Sequence, residues 1–526
     1  MFIWFLLIVA LVALYKYGTR NFDYFRAKGV PFNKPRFFVG SRLGMVLKTS
    51  NMIEFVEEIY NEFRNEKVSG MFEFNHPAFF IRDPELIKKL AVKEFDSFMD
   101  HRLVLSEDAE PLFAKALFGL TGQKWKDMRA TLSPAFTGSK MRLMFKLMNE
   151  VGSKMSKTVC DKINKGADNK VEFKEFSRKF TIDIIATCAF GIEVNSFENA
   201  NNDFMRIATK ATNFNSSGML LKLIGFFGFP WLMSRLRVKF LDSELYDFFD
   251  NVITETINTR ERKEITRNDM IDLLLQAKHG KLEYQEEKSS SDGFATVEES
   301  QIGKQKVKTV WSNQDLMAQC FIFFFAGFET VSNVMTFMAY ELILNPDIQK
   351  KLQDEIDAMN AELKGGDLTY EDVQKLKYMD MVLCETLRMW PPAPIIDRMC
   401  TKDFLLEYDN KKVQIEVGRN FYIPVYSLHH NENYFPNPNR FDPERFSDEN
   451  KKNIRQDCYL PFGIGPRNCI GNRFALLEVK TIFYYLLLNF NFEATKDTQI
   501  PIKLANNQAT FQFEKGLHCA LVPRTK

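Results

Sequence analysis

Residues 459–471 read YLPFGIGPRNCIG, and this glycine- and proline-rich segment says more about the fold than any other part of the chain. Three glycines and two prolines within 13 residues exclude a helix interior or an ordinary strand, so we expect a tight loop, with a helix from about Arg473. Such a loop can point backbone N–H groups at a sulfur atom, and the following helix N-terminus favours an anion. The segment therefore predicts that Cys469 is a thiolate, either a metal ligand or a nucleophile.

The cysteine pattern excludes several other kinds of site. The chain of 526 residues has eight cysteines, and no two form a C-x-x-C pair, which excludes zinc ribbons, thioredoxin-type motifs and C-x-x-C-H haem attachment. Eight are too few for a disulfide scaffold at this length. We therefore expect most of them to be reduced and buried.

Composition and charge exclude two broad classes of protein. The 70 Lys and Arg against 68 Asp and Glu give a net charge of +2, unlike a globally basic nucleic-acid-binding protein or an acidic disordered chain. Phenylalanine is unusually frequent, with 51 residues against 16 Tyr and 5 Trp. This excess predicts a large apolar interior or an apolar cavity with aromatic walls.

The pattern Phe462-x-x-Gly465-x-Arg467-x-Cys469-x-Gly471 resembles the haem-binding loop of the cytochrome P-450 family of haem-thiolate monooxygenases. The alternative is a buried structural cysteine in a turn. Four further motifs resemble the family and occur in the expected order: W-x-x-x-R at 125–129, A-G-F-E-T at 326–330, E-T-L-R at 385–388 and P-E-R-F at 443–446. The resemblance implies a mostly α fold with a minor β lobe, the haem-thiolate monooxygenase fold with a single N-terminal membrane anchor.

The resemblance also implies the cofactor and the residues that hold it. The cofactor is haem b, iron protoporphyrin IX, with Cys469 as the axial ligand of the iron. Arginine side chains and an indole N–H suit the haem propionates. The residues assigned to haem binding in this way are Cys469, Arg467, Trp125, Arg129, Arg398, Phe462, Gly463 and Ala326. Arg398 is assigned only by its position at the end of segment 394–398.

Glu329 and Thr330 are the predicted catalytic pair. Burying either side chain inside an apolar helix costs free energy unless it has a partner or a function. The simpler alternative is that Thr330 bonds back to the carbonyl of Ala326 and that Glu329 pairs with a surface cation. Residues 326–330 resemble the family's oxygen-activation motif. This resemblance implies that Thr330 holds oxygen or water while Glu329 feeds protons toward it.

Glu385 and Arg388 lie three residues apart and share one helix face. On a protein surface such a pair contributes about 0.5 kcal/mol. The resemblance instead joins them to Arg445 in a buried structural network behind the haem loop. We interpret His429 and His430 as structural too, because no second ligand cluster accompanies them.

The pattern along the chain is mostly helical. Ser312 predicts the start of a long helix that lasts to Asn345, and its apolar middle predicts a position inside the protein. The other predicted features are strand pairs over 71–82 and 405–416, a terminal hairpin over 501–524, and an exposed, mobile loop over 279–308.

The N-terminus predicts a membrane anchor. Residues 1–15 carry no charge, and Lys16 and Arg20 follow, which favours a retained anchor with the rest of the chain in the cytosol. A cleaved secretory peptide and a helix lying on the membrane surface are the alternatives. The predicted organisation is a signal-anchor helix at 1–17, a basic, proline-containing hinge at 18–35 and a haem-thiolate catalytic domain at 36–526.

Residues 219–233 read MLLKLIGFFGFPWLM and suggest a second membrane contact. Gly225, Gly228 and Pro230 interrupt any long helix, so the stretch is not a second span. Trp231 and the neighbouring cations are typical of a membrane interface, and the resemblance assigns the stretch to the roof of the active site. The alternative is a buried core segment.

The resemblance implies a microsomal monooxygenase that inserts one atom of O2 into lipophilic substrates. The sequence has no G-x-G-x-x-G fingerprint or flavin domain, so electrons are expected from NADPH through a membrane-bound cytochrome reductase, with cytochrome b5 as a further partner. Lys124 and Lys126 are candidates for the docking face, although an ordinary solvated helix surface is the alternative. The expected location is the cytoplasmic side of the endoplasmic reticulum membrane, and no nucleic-acid partner is expected.

Segments 319–330 and 467–471 resemble the insect microsomal detoxification branch, which handles plant toxins and insecticides. A specialised hormone or lipid hydroxylase is the alternative within the same chemistry. A non-oxygenating isomerase or dehydratase and a haem-holding sensor without turnover are two further classes. The intact pair Glu329 and Thr330 argues against both of these.

Overall fold

The computed structural model of the protein describes residues 2–103, 105–108, 110–212, 217–279, 281–282, 284, 293–307, 309, 311–506 and 512–524. The α-helices in the first half of this described part are α1 (Phe2–Thr19), α2 (Tyr24–Ala27), α3 (Leu43–Val46), α4 (Met52–Glu62), α5 (Pro84–Lys88), α6 (Pro111–Ala114), α7 (Gly122–Leu132), α8 (Gly138–Asn164), α9 (Phe173–Ile185), α10 (Asp203–Ala211), α11 (Ser217–Gly228), α12 (Pro230–Arg235), α13 (Ser243–Lys263) and α14 (Met270–Lys278). Those that follow are α15 (Asn313–Leu344), α16 (Pro346–Leu363), α17 (Tyr370–Lys375), α18 (Lys377–Met389), α19 (Val425–His429) and α20 (Asn472–Asn489).

The strands form three small sheets beside the helices, which confirms a mostly α fold with a minor β part. The strands are β1 (Val68–Glu73), β2 (His76–Ile81), β3 (Lys170–Glu172), β4 (Ile396–Met399), β5 (Phe404–Tyr408), β6 (Lys411–Ile415), β7 (Asn420–Ile423), β8 (Phe490–Ala494) and β9 (His518–Pro523). The sheet orders are β1-β2-β7-β4, β3-β9-β8 and β5-β6. Both predicted strand pairs, β1 with β2 and β5 with β6, are antiparallel hairpins.

The predicted terminal hairpin over 501–524 is wrong in its pairing. The last strand, β9, lies between β8 and β3, so its partners come from residues 490–494 and 170–172. Within the predicted hairpin a single bridge joins Leu504 and Phe513, and residues 507–511 lie outside the described part of the chain. Local alternation of apolar residues indicated a strand correctly, but it could not reveal a partner more than 300 residues away.

The long helix α15 passes through the middle of the protein, as predicted. The hydroxyl of Ser312 accepts from the backbone N–H of Asp315, and the Asp315 carboxylate accepts from the N–H of Ser312, which fixes the first turn. The helix is long and apolar enough to cross a membrane, but most of it is buried against its neighbours, above all α9. It is therefore a core helix.

Helix α1 differs from α15 because it is apolar and almost entirely exposed. Exposed leucines, isoleucines and aromatic side chains cover it on all sides, which is the pattern of a segment that lies in lipid. The residues that follow α1 pack on the first sheet: Phe25 is fully buried, and the chain near Pro31 and Asn33 exchanges backbone hydrogen bonds with Gly70. Helix α1 is thus a candidate anchor that joins the body through a packed segment.

The predicted mobile loop over 279–308 is wrong for the segment that begins at Gly293. Residues 280, 283, 285–292 and 308 lie outside the described part of the chain. From Gly293 onward the chain packs against the protein, with Ala295 and Gly303 buried. Its polar composition suggested a solvated loop, but specific ion pairs and hydrogen bonds hold it in place.

Candidate active site

The segment 459–471 is a tight loop, and two of its three glycines are required by its shape. Gly463 and Gly465 have φ angles of +81° and +73°, in the left-handed region that favours glycine. A Cβ atom at Gly465 would lie 2.1 Å from the backbone oxygen of Ala91, so a larger residue would not fit there. The N–H of Cys469 donates to the carbonyl of Phe462 at 2.8 Å, which closes the loop around the cysteine.

Cys469 has open surface. All eight cysteines lie in the described part of the chain, and Cys469 alone among them is exposed. Burial by the surrounding protein raises the pKa of this thiol, while the backbone N–H of Gly471 and the charge of Arg129 act in the opposite direction. The open surface leaves room for a ligand beside the sulfur.

One face of α15 is open in the same way. Ala326 and Thr330, one helical turn apart, are exposed in the middle of an otherwise buried helix. The hydroxyl of Thr330 donates to the carbonyl of Ala326 at 2.6 Å, which is the local bond that the simpler sequence interpretation expects. Because the hydroxyl proton is used in this way, the oxygen turns its lone pairs outward as an acceptor.

Glu329 is buried and has three partners. The Nζ of Lys174 and the Nη2 of Arg178, both on α9, lie 2.5 and 2.8 Å from its two carboxylate oxygens, and Gln512 donates to it at 3.1 Å. Burial alone would raise the pKa of Glu329, but the two cations outweigh burial and hold that pKa below its usual range.

Gly327 lies where α15 approaches α9, the helix that carries the two cations. A Cβ atom at this position would lie 3.0 Å from the side chain of Ile185 on α9, so glycine lets the two helices approach closely. Neither Lys174 nor Arg178 was found from the sequence. They lie some 150 positions before Glu329, and nothing in their local pattern distinguishes them from surface cations.

A cluster of buried cations lies beside the loop. Arg467 stacks over the indole ring of Trp125 at 4.2 Å and donates to backbone oxygens of Met99 and Leu120. Arg398 donates to the carbonyls of Asp397 and Ile464, and its Nε is buried without a hydrogen-bond partner among the described residues.

Asp397 ties a further residue to this cluster. Its carboxylate lies 3.0 Å from the Nδ1 of His101 and accepts from the N–H of Arg102 at 2.8 Å. Burial would raise the pKa of Asp397, but these partners lower it to about 2. His101 was missed from the sequence, because a lone histidine in a loop gives no signal of its neighbours.

Arg129, which is predicted to bind the haem, is held by two protein residues, Asn468 and Glu299. Its Nη1 and Nη2 donate to the backbone and side-chain oxygens of Asn468, at 2.8 and 2.7 Å. Its Nη2 also forms a 2.7 Å ion pair with Glu299, a residue that sequence reasoning did not single out. Its assignment to a haem propionate stays a prediction.

The three residues of the predicted structural network lie together. Arg388 donates to both carboxylate oxygens of Glu385, at 2.7 and 2.9 Å, and both side chains are fully buried. The Nε of Arg445 lies 3.3 Å from the same carboxylate. This pair is therefore not an exposed surface pair.

His429 connects this network to the loop. Its Nδ1 lies 3.0 Å from the carbonyl of Arg388, and its Nε2 accepts from the N–H of Leu460 at 2.8 Å. Burial lowers the pKa of His429 to about 3, so the ring is neutral, with the proton on Nδ1 donated to the carbonyl. This geometry agrees with a structural role.

The donor set fits a haem group. A thiol with open surface suits a soft axial ligand of iron, and the exposed face of α15 provides a second open wall. The orphaned Nε of Arg398 is a buried donor that suits a propionate carboxylate. The buried guanidinium of Arg467 is a second cation beside it, although it already donates to backbone carbonyls and pairs with Asp100.

Comparison with known proteins gives a consistent result. A family model described as Cytochrome P450 matches residues 30–520. Cytochrome P450 9e2 of Blattella germanica is 43% identical and aligns over 98% of this chain and 97% of its own length. Probable cytochrome P450 9f2 of Drosophila melanogaster is 38% identical over 98% of both chains, and Cytochrome P450 6j1 of Blattella germanica is 36% identical over 93% of this chain and 91% of its own.

Proposed function

This chain belongs to the cytochrome P450 family, and on that premise we propose that it oxidises lipophilic foreign compounds, such as plant toxins or insecticides, at the endoplasmic reticulum membrane. As a family member it is a haem-thiolate monooxygenase, an oxidoreductase whose cofactor is haem b. The overall reaction is RH + O2 + 2e⁻ + 2H⁺ → ROH + H2O. The observation that carries the proposal is the open thiol of Cys469 together with the open face of α15.

The site residues divide the work between holding the cofactor and moving protons. The haem, when bound, supplies the activation of dioxygen and the electron transfer. Cys469 would hold the iron, and Arg398 and Arg467 would hold the propionates. Thr330 accepts a hydrogen bond from a water molecule or from a reacting oxygen, since its own proton is donated to Ala326. Glu329 must loosen its contact with Lys174 or Arg178 before it can take up a proton.

The Thr330→Ala variant is expected to consume NADPH at an undiminished rate while product formation falls and peroxide release rises. The substitution removes the acceptor oxygen on the open face of α15 but leaves the apolar wall in place. Product, peroxide and NADPH are measured in the same reaction mixture with added reductase. Thr330→Ser keeps the hydroxyl and is expected to stay coupled; full coupling in Thr330→Ala would contradict the role in proton delivery.

Aromatic side chains beside α15 favour the binding of an apolar substrate. Phe325 is half-buried next to Ala326, and its ring packs edge-on against Phe113 at 6.5 Å. Phe113 also contacts the rings of Phe118 and Phe240, so several aromatic groups meet on one side of α15. Such a wall favours lipophilic molecules over charged ones. A hormone or lipid hydroxylase would use the same wall and is the second candidate.

The test of substrate class is a binding screen followed by product analysis. Lipophilic plant compounds, insecticides and steroid-type compounds are titrated into the full-length holoprotein, and each binder is incubated with NADPH and reductase. Oxidation of plant compounds or insecticides supports the proposal. Selective oxidation of the steroid-type compounds alone favours the hormone or lipid hydroxylase instead.

The electron donor is proposed to be the membrane-bound NADPH–cytochrome reductase, with cytochrome b5 as a further partner. Lys124 is exposed on α7 and pairs with Glu107, and Lys126, two residues further along the same helix, pairs with Asp96. Exposed ion pairs of this kind exchange partners readily, so an acidic protein surface can replace the two internal carboxylates.

The membrane is proposed to contact the protein at two places that adjoin each other. The phenol of Tyr17, near the end of α1, donates to the carbonyl of Gly228 at 2.8 Å, and its ring stacks on Phe229. Leu221, Trp231 and Leu236 are all more than 60% exposed on the neighbouring segment. This arrangement supports one lipid-facing surface made of α1 and the α11–α12 region.

A protein that lacks residues 1–20 is expected to keep detectable affinity for vesicles of phosphatidylcholine and phosphatidylserine. Asp at both Leu221 and Trp231 should remove that affinity without loss of haem, because charges are expelled from the lipid boundary. Asp at Ile265, exposed after α13, is the matched control and should change nothing. If the shortened protein never sediments with vesicles, the second contact does not exist.

A further inference from the structure

The segment Gly293–Val307 crosses the protein beside the Cys469 loop, and we call it the strap. The ring of Phe294 packs against Phe446 and Tyr459, at 5.3 and 5.6 Å. The N–H of Val297 donates to the side chain of Asn472, the first residue of α20, at 3.2 Å. The strap is therefore fixed on both sides of the loop that carries the cysteine.

Glu299 is the charged contact of the strap. Its carboxylate accepts from the Nε and Nη2 of Arg129 and from the hydroxyl of Ser133, at distances between 2.7 and 3.2 Å. The Arg129 side chain of this pair is almost completely buried, so the carboxylate determines how the guanidinium is oriented. A fork with two parallel contacts fixes direction as well as distance.

The contact continues directly to the cysteine. Arg129 donates to both the backbone oxygen and the side-chain oxygen of Asn468, and the Asn468 amide donates in turn to the carbonyl of Glu298 at 3.3 Å. The Asn468 carbonyl that accepts from Arg129 belongs to the peptide bond that Asn468 forms with Cys469. Two direct contacts thus lead from Glu299 through Arg129 to the carbonyl of the Asn468–Cys469 peptide bond.

We propose that Glu299 is a positioning residue for the Cys469 loop, acting through Arg129 and Asn468, and that its charge sets the reduction potential of the haem iron. The inference rests on the proposed role of Cys469 as axial ligand. Hydrogen bonds and charges close to a metal's ligand tune its potential. The carboxylate of Glu299 partly neutralises the positive charge of Arg129 near the sulfur. When that carboxylate is removed, the positive charge of Arg129 is no longer balanced and favours the reduced form of the iron.

The geometry distinguishes two contributions of Glu299, and two variants separate them. Glu299→Gln keeps an acceptor for Arg129 but removes the negative charge, so it tests the charge alone. Glu299→Ala removes the acceptor as well and also releases Arg129 from its orientation. Glu298→Gln is the matched control, because it removes the same charge from the exposed neighbouring side chain. The backbone carbonyl of residue 298 still accepts the hydrogen bond from Asn468.

The experiment measures the reduction potential and the Soret band of the reduced CO complex in the full-length holoprotein. Glu299→Gln is expected to shift the potential to a more positive value with an unchanged band position. Glu299→Ala is expected to shift it at least as far and to lose the red-shifted band faster over time, since the loop is no longer oriented. Glu298→Gln should shift the potential clearly less than Glu299→Gln.

The inference is overturned if both Glu299 variants have the potential of the unmodified protein, even if their melting temperatures fall, because a merely structural contact would behave in that way. Equal shifts in Glu298→Gln and Glu299→Gln would also overturn it, since the effect would then be general to the surface. Failure of the proposed axial ligand is a separate result: the unmodified protein would then lack the red-shifted band altogether.

Discussion

Replacement of Cys469 by Ser is expected to abolish the red-shifted Soret band of the reduced CO complex. That band arises from a thiolate that donates electron density to the iron, and neither a serine hydroxyl nor a water molecule can replace the donation. The loop backbone should be preserved, because the N–H of residue 469 still donates to the carbonyl of Phe462. Monooxygenase activity is expected to fall below detection.

The spectra of the reduced CO complexes are compared at equal haem content. Cys160→Ser, at a half-buried cysteine, is the control and should leave the band in place. Cys469→His offers a different axial ligand and should move the band to shorter wavelength. An unchanged spectrum in Cys469→Ser would show that Cys469 is not the axial ligand. The interpretation of the whole loop would then be wrong.

Glu385→Ala is expected to destabilise the protein by about 3–5 kcal/mol, because it leaves the fully buried guanidinium of Arg388 without its carboxylate. The loss also affects the loop, since the carbonyl of Arg388 holds His429, and His429 holds the N–H of Leu460. Urea unfolding and haem content of the purified protein measure the two effects. We expect incomplete haem loading in addition to the lower stability.

Two comparisons separate the buried network from ordinary ion pairs. Asp354→Ala breaks an exposed pair with Lys350 and should cost no more than about 0.5 kcal/mol. The double variant Glu385→Leu with Arg388→Met removes both charges of this pair. It should recover part of the stability that Glu385→Ala loses, since Arg388 no longer leaves an unpaired charge. A cost for Glu385→Ala as small as that of Asp354→Ala would contradict the network.

Local sequence signals predicted the elements whose conformation depends on residues close to them in the chain. The glycines of segment 459–471 are needed where φ is positive, and the cap at Ser312 starts α15 as expected. In each case the structure is determined within a few residues of the signal.

The features that could not be predicted depend on distant partners. The last strand β9 looked like half of a hairpin, but its neighbours come from other parts of the chain. The cations that hold Glu329 and the carboxylate that holds Arg129 lie about 150 to 170 positions away in sequence. The strap looked like a solvated loop because its polar residues are indistinguishable from surface residues until their partners are known.

If this haem-thiolate monooxygenase oxidises lipophilic molecules as proposed, isotope-labelled O2 must deliver its label to their products. The full-length holoprotein is incubated with a lipophilic compound that binds it, NADPH, reductase and labelled O2, and the product is examined by mass spectrometry. We expect each product molecule to carry one labelled oxygen atom, and we expect no label when it is supplied as water instead. A product that is rearranged without labelled oxygen, or that takes its oxygen from water, would contradict monooxygenation.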